Sequence, residues 1–308
     1  MGENNINYSD ENIDLKQLFF AVWKKKFFIG TFTLVSVILS AIIALNLPNT
    51  YTSKALLAPA TTEDSLSSKL GNLSSFGNIA GFSLPSGSAS KSQEAIERIK
   101  SFEFFSTYFL PNIKLENIMA SKKWDSRKNI LIYDNDLFDS NSKKWVRNIS
   151  FPQKKVPSSQ EAFKKYKEKV SVTEDTKTGF VVISIDHHSP FIAKNWIDII
   201  IYQINESMRN IDAEKAEKSI NYLNETASTN KIQSIKEVIS KLLEDQIQTL
   251  MLTSSNESYI FKVIDSPVAS EENSKPNRPL ILIFSTFLSI VISSFIVLIQ
   301  HNAVISKR

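Results

Sequence analysis

The sequence predicts an α+β membrane protein, in which two transmembrane helices flank an α/β base domain that carries one very long protruding helix. Three observations carry this reading. Of 308 residues 42% are hydrophobic and 22% charged, yet the uncharged apolar residues gather in two blocks, 27–45 and 280–299, with polar sequence between them. Inside that polar stretch, β-branched or loosely alternating runs bounded by turn residues read as strands. From Phe191 to Leu252 there is neither Pro nor Gly, and apolar residues recur at helical spacing.

In chain order, residues 1–26 form a tail in which Ile13, Leu15, Leu18, Phe19, Val22 and Trp23 make a short amphipathic helix suited to the membrane interface. Residues 27–47 are the first transmembrane helix. Its twelve strongly apolar residues sum to about −5 kcal/mol on the insertion scale, before the hydroxyls are counted. A cleavable signal peptide has a shorter apolar region and a small-x-small site, whereas here Asn46-Leu47-Pro48-Asn49 follows, so the segment reads as an uncleaved anchor. Lys24, Lys25 and Lys26 before it, and Lys307 and Arg308 after the second block, place both ends on the cytoplasmic side; Lys275 and Arg278 oppose this bias.

Residues 48–279 then form a single domain across the membrane, with a base from 48–190 and 253–270. Residues 51–58 read as a strand and 61–92, rich in Ser, Asn and Gly, as a flexible loop. Ile96, Ile99, Phe102, Phe105 and Phe109 define an amphipathic helix over 93–110, ended by Pro111. Residues 112–157 lack a clean period and are expected to be irregular with short helices. Ser158 or Ser159 with Glu161 opens a helix to about Lys169. Residues 178–186 are the best strand in the chain, and 257–265 another that is placed to pair with the first. The run 191–252, read as one helix, is about 60 residues and about 90 Å long. Thr226 to Asn230 is its weakest point, and the apolar-poor stretch 209–219 is expected to project beyond the base. Residues 280–299 span again, and 300–308 form a cytoplasmic tail.

Several function classes drop out. Lys+Arg 36 against Asp+Glu 32 gives a net charge of +4, spread too evenly for a nucleic-acid surface. Zero cysteines exclude thiol catalysis and thiolate metal sites. No phosphate-binding G-x-x-x-x-G-K-[ST] is present. Only Gln300 to Arg308 follow the second span, which leaves no output module for a two-span sensor.

The order of these parts resembles the Wzz-type chain-length determinants, the polysaccharide co-polymerases. The matching residues are Asp10-Glu11-Asn12-Ile13-Asp14-Leu15 before Trp23, Leu47-Pro48 with 51–59, Asn78-Ile79-Ala80-Gly81, Tyr222-Leu223, and Tyr259-Ile260-Phe261-Lys262-Val263-Ile264-Asp265 before the second span. The likeness covers essentially the whole chain. It departs in having only Pro267, Pro276 and Pro279 before the second span, and serines where that span usually has glycines. The resemblance implies a non-enzymatic inner-membrane protein without cofactor, with its main domain periplasmic and both termini cytoplasmic. It further implies a homo-oligomer whose helices make coiled-coil-like contacts, and which sets the modal length of a surface polysaccharide such as lipopolysaccharide O-antigen with a Wzy-type polymerase. An adaptor for a separate tyrosine kinase in capsule or exopolysaccharide export shares the two spans and is the rival reading.

The residues themselves supply candidate surfaces. Ser36, Ser40 and Ala44 in the first span, and Ser285, Ser289 and Ser293 in the second, step by four and give each helix a small-residue packing face. Ile220, Leu223, Ile235, Ile239 and Leu242 continue an apolar stripe along the long helix, which needs the returning chain or a second copy to cover it. His187-His188 ends a strand, where adjacent side chains face opposite ways, so a solvated turn is expected rather than a metal site. Lys143, Lys144, Arg147, Lys154, Lys155, Lys164, Lys165, Lys167 and Lys169 read as a solvated face, with an anionic sugar or phospholipid headgroup as the alternative partner. No paired carboxylates stand in a catalytic setting, and no catalytic, cofactor or metal residue is assigned.

Overall fold

The computed structural model describes residues 23–60, 87–229, 232–255 and 258–305. They form two compact units, one of residues up to 48 with those from 275 onward, the other of 49–274. The N-terminal amphipathic helix and most of the Ser/Gly-rich loop lie outside the described residues.

The first helix, α1 (Lys26–Asn46), ends as Leu47 turns extended (φ −65°, ψ 132°) before Pro48, the conformation a following proline imposes. Strand β1 (Tyr51–Pro59) alternates inward at Ser53, Ala55 and Leu57. Helix α2 (Gly87–Ile99) begins inside the segment expected to be loop. It does not continue to 110. The chain breaks at Ser101, whose hydroxyl accepts from Phe104 N at 3.1 Å, and resumes as an irregular helical run over 102–112 with a π turn at Phe105–Phe109. Ala95, Ile96, Ile99, Phe105 and Phe109 are nonetheless all buried, so the break keeps the apolar face directed inward.

The stretch 112–157 is more regular than its composition suggests. After α3 (Leu115–Met119) come two small hairpins, β2 (Ser121–Asp125) with β3 (Ile130–Tyr133), and β4 (Phe138–Asp139) with β5 (Lys144–Trp145). Asn129 and Lys143 sit at φ 52° in their turns, a conformation Asn tolerates well and Lys seldom adopts. Helix α4 (Ser159–Lys169) starts with the expected capping box: Ser158 accepts from Glu161 N, and Glu161 accepts from Ser158 N. It runs into a strand absent from the sequence reading, β6 (Val170–Glu174), which a turn with Gly179 at φ 72° joins to β7 (Val181–His187).

The sheet order is β6-β7-β1-β8, every pair antiparallel, with β8 (Phe261–Asp265) at one edge. Thus the expected pairing of the 51–58 strand with the one near 260 is present, with Pro59 opposite Phe261. Val181, Ile183 and Ile185 on β7 stand opposite Leu57, Ala55 and Ser53 on β1. That face is covered by α5 (Pro190–Thr229), through Ala193, Trp196, Ile197, Ile200, Ile204 and Met208. The aromatic side of the core closes with Phe105, Phe109, Tyr166 and Trp196 at centroid distances of 5.0–5.7 Å.

Residues 191–252 are not one helix. The chain stops at Thr229, resumes as α6 (Gln233–Ser255), and α6 folds back onto α5. Thr226, Ser228 and Thr229 bond their hydroxyls to carbonyls three or four residues back, the competition with the helix ladder that makes such residues poor helix formers. Nor does 209–219 project bare. Ala216 is buried, and Asp212 is tied to two other segments.

The last helix, α7 (Arg278–Ile305), packs against α1. Lys25 Nζ donates to Gln300 Oε1 at 2.7 Å and Arg278 Nε to Ala44 O at 3.2 Å. These two bonds lie at opposite ends of the pair, so the helices are antiparallel. Both are long and apolar enough to cross a membrane.

Candidate functional site

Among the described residues no set of three or more His, Asp and Glu is placed to hold a metal ion. What the structure offers is surfaces and the devices that hold them. In the span pair, Ser40 Oγ and Ser285 Oγ are hydrogen-bonded at 2.8 Å. Ala44, Ser289 and Ser293 are buried and Ser36 is half-buried, on helices whose large side chains Leu34, Ile38, Phe284 and Phe287 are exposed. Small residues let two backbones approach closely where lipid gives apolar side chains no reason to leave it.

The helical hairpin separates the five stripe residues. Ile239 is buried against α5, Ile220 and Leu223 are half-covered, while Ile235 and Leu242 are exposed. With Val238, which is 60% exposed, they leave an apolar strip on α6 at three- and four-residue steps. The returning chain therefore covers part of the stripe and leaves the outer part bare.

Two polar clusters, neither foreseen from sequence, fix the hairpin to the rest of its unit. Asn205, buried on α5, accepts from Ile260 N at 2.7 Å and Phe261 N at 2.9 Å, and donates to Ile201 O and Phe261 O. Its amide thus uses all its groups to anchor the start of β8. Farther along, Asp212 Oδ2 accepts from Lys91 Nζ at 2.6 Å and from Tyr259 OH at 2.7 Å, joining α2, α5 and the segment before β8. Burial alone would push the Asp212 carboxyl up, but these two donors outweigh it and hold the group below its ordinary value. Burial, with the Asp212 bond adding to it, raises the Tyr259 hydroxyl to about 12. The signal that could have found the first cluster is a polar residue inside an apolar face, as Asn205 stands between Ile204 and Met208.

The basic run divides. Arg147 is not on a solvated face. It is 7% exposed and donates to both Glu161 oxygens at 2.5 and 3.0 Å and to the carbonyls of Lys154 and Lys155. Lys169 is half-buried, and burial, with Lys165 adding, lowers its amine. Lys143, Lys144, Lys154, Lys155, Lys164, Lys165 and Lys167 are exposed. His187-His188 is likewise no solvated turn. His187 is fully buried, takes a hydrogen bond from Ser189 N at 3.0 Å on Nδ1, and so donates Nε2–H to Asn117 O at 2.9 Å. Burial, helped by the nearby Lys169 and His188 charges, lowers it to about 3. The alternation that buries Val181, Ile183 and Ile185 carries one step further to His187, which is how sequence could have found it.

Residues 11–109 match the Wzz family, described as chain length determinant protein. The Wzz segment takes in α1, β1 and α2 and ends at Phe109; α5, α6 and α7 lie outside it. No curated protein sequence matches the chain. Among solved structures, a full-length bacterial polysaccharide co-polymerase is similar at 13% identity, over 95% of this chain and 99% of that one, with a TM-score of 0.40. A fragment of WzzB, a polysaccharide co-polymerase from Salmonella Typhimurium, is similar at 12% identity over 74% of this chain and all of that one, with a TM-score of 0.32.

Proposed function

We propose that the protein is a chain-length determinant for a surface polysaccharide such as lipopolysaccharide O-antigen, acting without catalysis of its own beside a Wzy-type polymerase. The observation that carries this reading is the Wzz match over 11–109. The antiparallel pair of apolar helices supports it, being what a two-pass membrane protein needs, and by the positive-inside rule Lys24 to Lys26 favour cytoplasmic ends with residues 49–274 in the periplasm. The bare strip of Ile235, Val238 and Leu242 is the surface that copies of the chain share in a homo-oligomer, the form in which the unit meets the growing glycan. Deleting the gene is expected to replace a modal polysaccharide band on a gel by an unregulated ladder, and the wild-type gene to restore it. An unchanged band pattern after deletion would overturn the reading.

A further inference from the structure

The loop between β5 and α4 combines three features. Phe151 at its tip is 95% exposed, the most exposed large apolar side chain among the described residues, with Val146 and Val156 at 46% and 56% on its flanks. No acidic residue occurs between Asp139 and Glu161, while Lys143, Lys144, Lys154 and Lys155 all lie exposed and form no ion pair among the described residues. The loop is also held rigid. Trp145 meets Phe138 edge-to-face at 5.2 Å where the loop begins, Pro157 is buried where it ends, and Gln153 N donates to Ser150 O at 3.1 Å across the tip. Arg147, bonded to the Lys154 and Lys155 carbonyls, draws the two strands of the loop together and so brings the two lysine pairs to one base.

We propose that this loop is a membrane-contact element, with Phe151 inserting into the interface of an anionic phospholipid surface and the four lysines meeting its headgroups. An apolar tip with a basic collar is the chemistry that suits such a surface: the ring leaves water, and the ammonium groups stay at the charged layer. A bound sugar or peptide would be held in a concave site with converging polar groups, whereas Phe151 stands on a convex tip. The chain also carries two helices able to cross a bilayer, so it works where lipid is present.

The chain lacks cysteine, which allows a single label. The full-length protein with Ser150→Cys, carrying an environment-sensitive fluorophore, is placed in nanodiscs of mixed phosphatidylglycerol and phosphatidylcholine with and without a headgroup-level spin-labelled lipid. The spin-labelled lipid should quench the emission, a Ser240→Cys label on α6 should be unaffected, and adding Phe151→Ser should abolish the quenching. Phosphatidylcholine alone, or Lys→Gln at the four lysines, should weaken it. An unquenched label overturns the proposal, as does a blue-shifted but unquenched one, which would mean a protein surface covers the loop. A shift seen only when purified polysaccharide is added overturns it in favour of a glycan.

Discussion

The two halves of α5 are one continuous helix with two different reasons to exist. Up to Met208 it supplies ten of its eleven buried residues, from Pro190 through Trp196 and Ile204, to the face of the sheet; beyond that point only Ala216 is buried. The first half is held by apolar area removed from water. The second is held by α6, by the Lys91–Asp212–Tyr259 cluster and by exposed pairs such as Lys218–Glu214 at 2.5 Å, which water screens to little worth. Hence the same helix is rigid core at one end and a loosely supported arm at the other, where a change of partner costs least.

Three experiments divide these halves. The largest effect belongs to the core: Trp196→Ala should remove about 3–5 kcal/mol, seen as a lower denaturant midpoint of the detergent-solubilised chain. A loss below about 1 kcal/mol would mean the sheet face is not what anchors α5.

Next comes pH. His187 is held neutral by burial to about 3 against an ordinary value near 6.5, so its contribution is whole above pH 6.5 and falls as pH drops from there toward 3. Between pH 7 and 5 the loss should be about 2 kcal/mol, with His188, lowered by burial despite its bond to Asn49 O, acting in the same direction. His187→Gln should flatten most of that slope; an unchanged slope would show that the imidazole is not the group responsible.

The smallest effect belongs to the arm. Ile220→Asp with Leu223→Asp, both half-buried, should cost about 1–2 kcal/mol locally. Hydrogen exchange should then quicken over 213–250 and stay slow in β1 and β7. Faster exchange in β7 as well would show that the halves open together.

How much of this was legible in sequence follows the range of the interactions. The spans, β1, β7, β8 and the Ser158–Glu161 cap are written in runs of fewer than twenty-five residues and are found where expected. Strand β6, Val170 to Glu174, alternates as a strand should but was hidden because it follows α4 with no turn residue between them and pairs only through β7. The hairpins over 121–145 depend on aromatic contacts such as Tyr133–Phe138 at 5.4 Å rather than on a period. The fold-back of α6 was only half visible, since a weak point at 226–230 does not say which way the chain turns. Arg147 looked like one cation among many, because its partners Glu161 and two carbonyls become neighbours only after folding. The small-residue faces of the two spans were readable as a four-residue step; the Ser40–Ser285 bond that sets their register was not.

The sheet order has a consequence in time. Strand β1 lies between β7 and β8, so its neighbours are made long after it leaves the ribosome. At about 5–20 residues per second, the interval from residue 59 to residue 265 is on the order of 10–40 s. Throughout it one side of β1 presents unpaired backbone groups to any other chain, and β8 arrives just ahead of α7. Closing the sheet and threading the second span are therefore near-simultaneous events of biosynthesis, and a nascent chain stalled before residue 261 would carry an open strand edge.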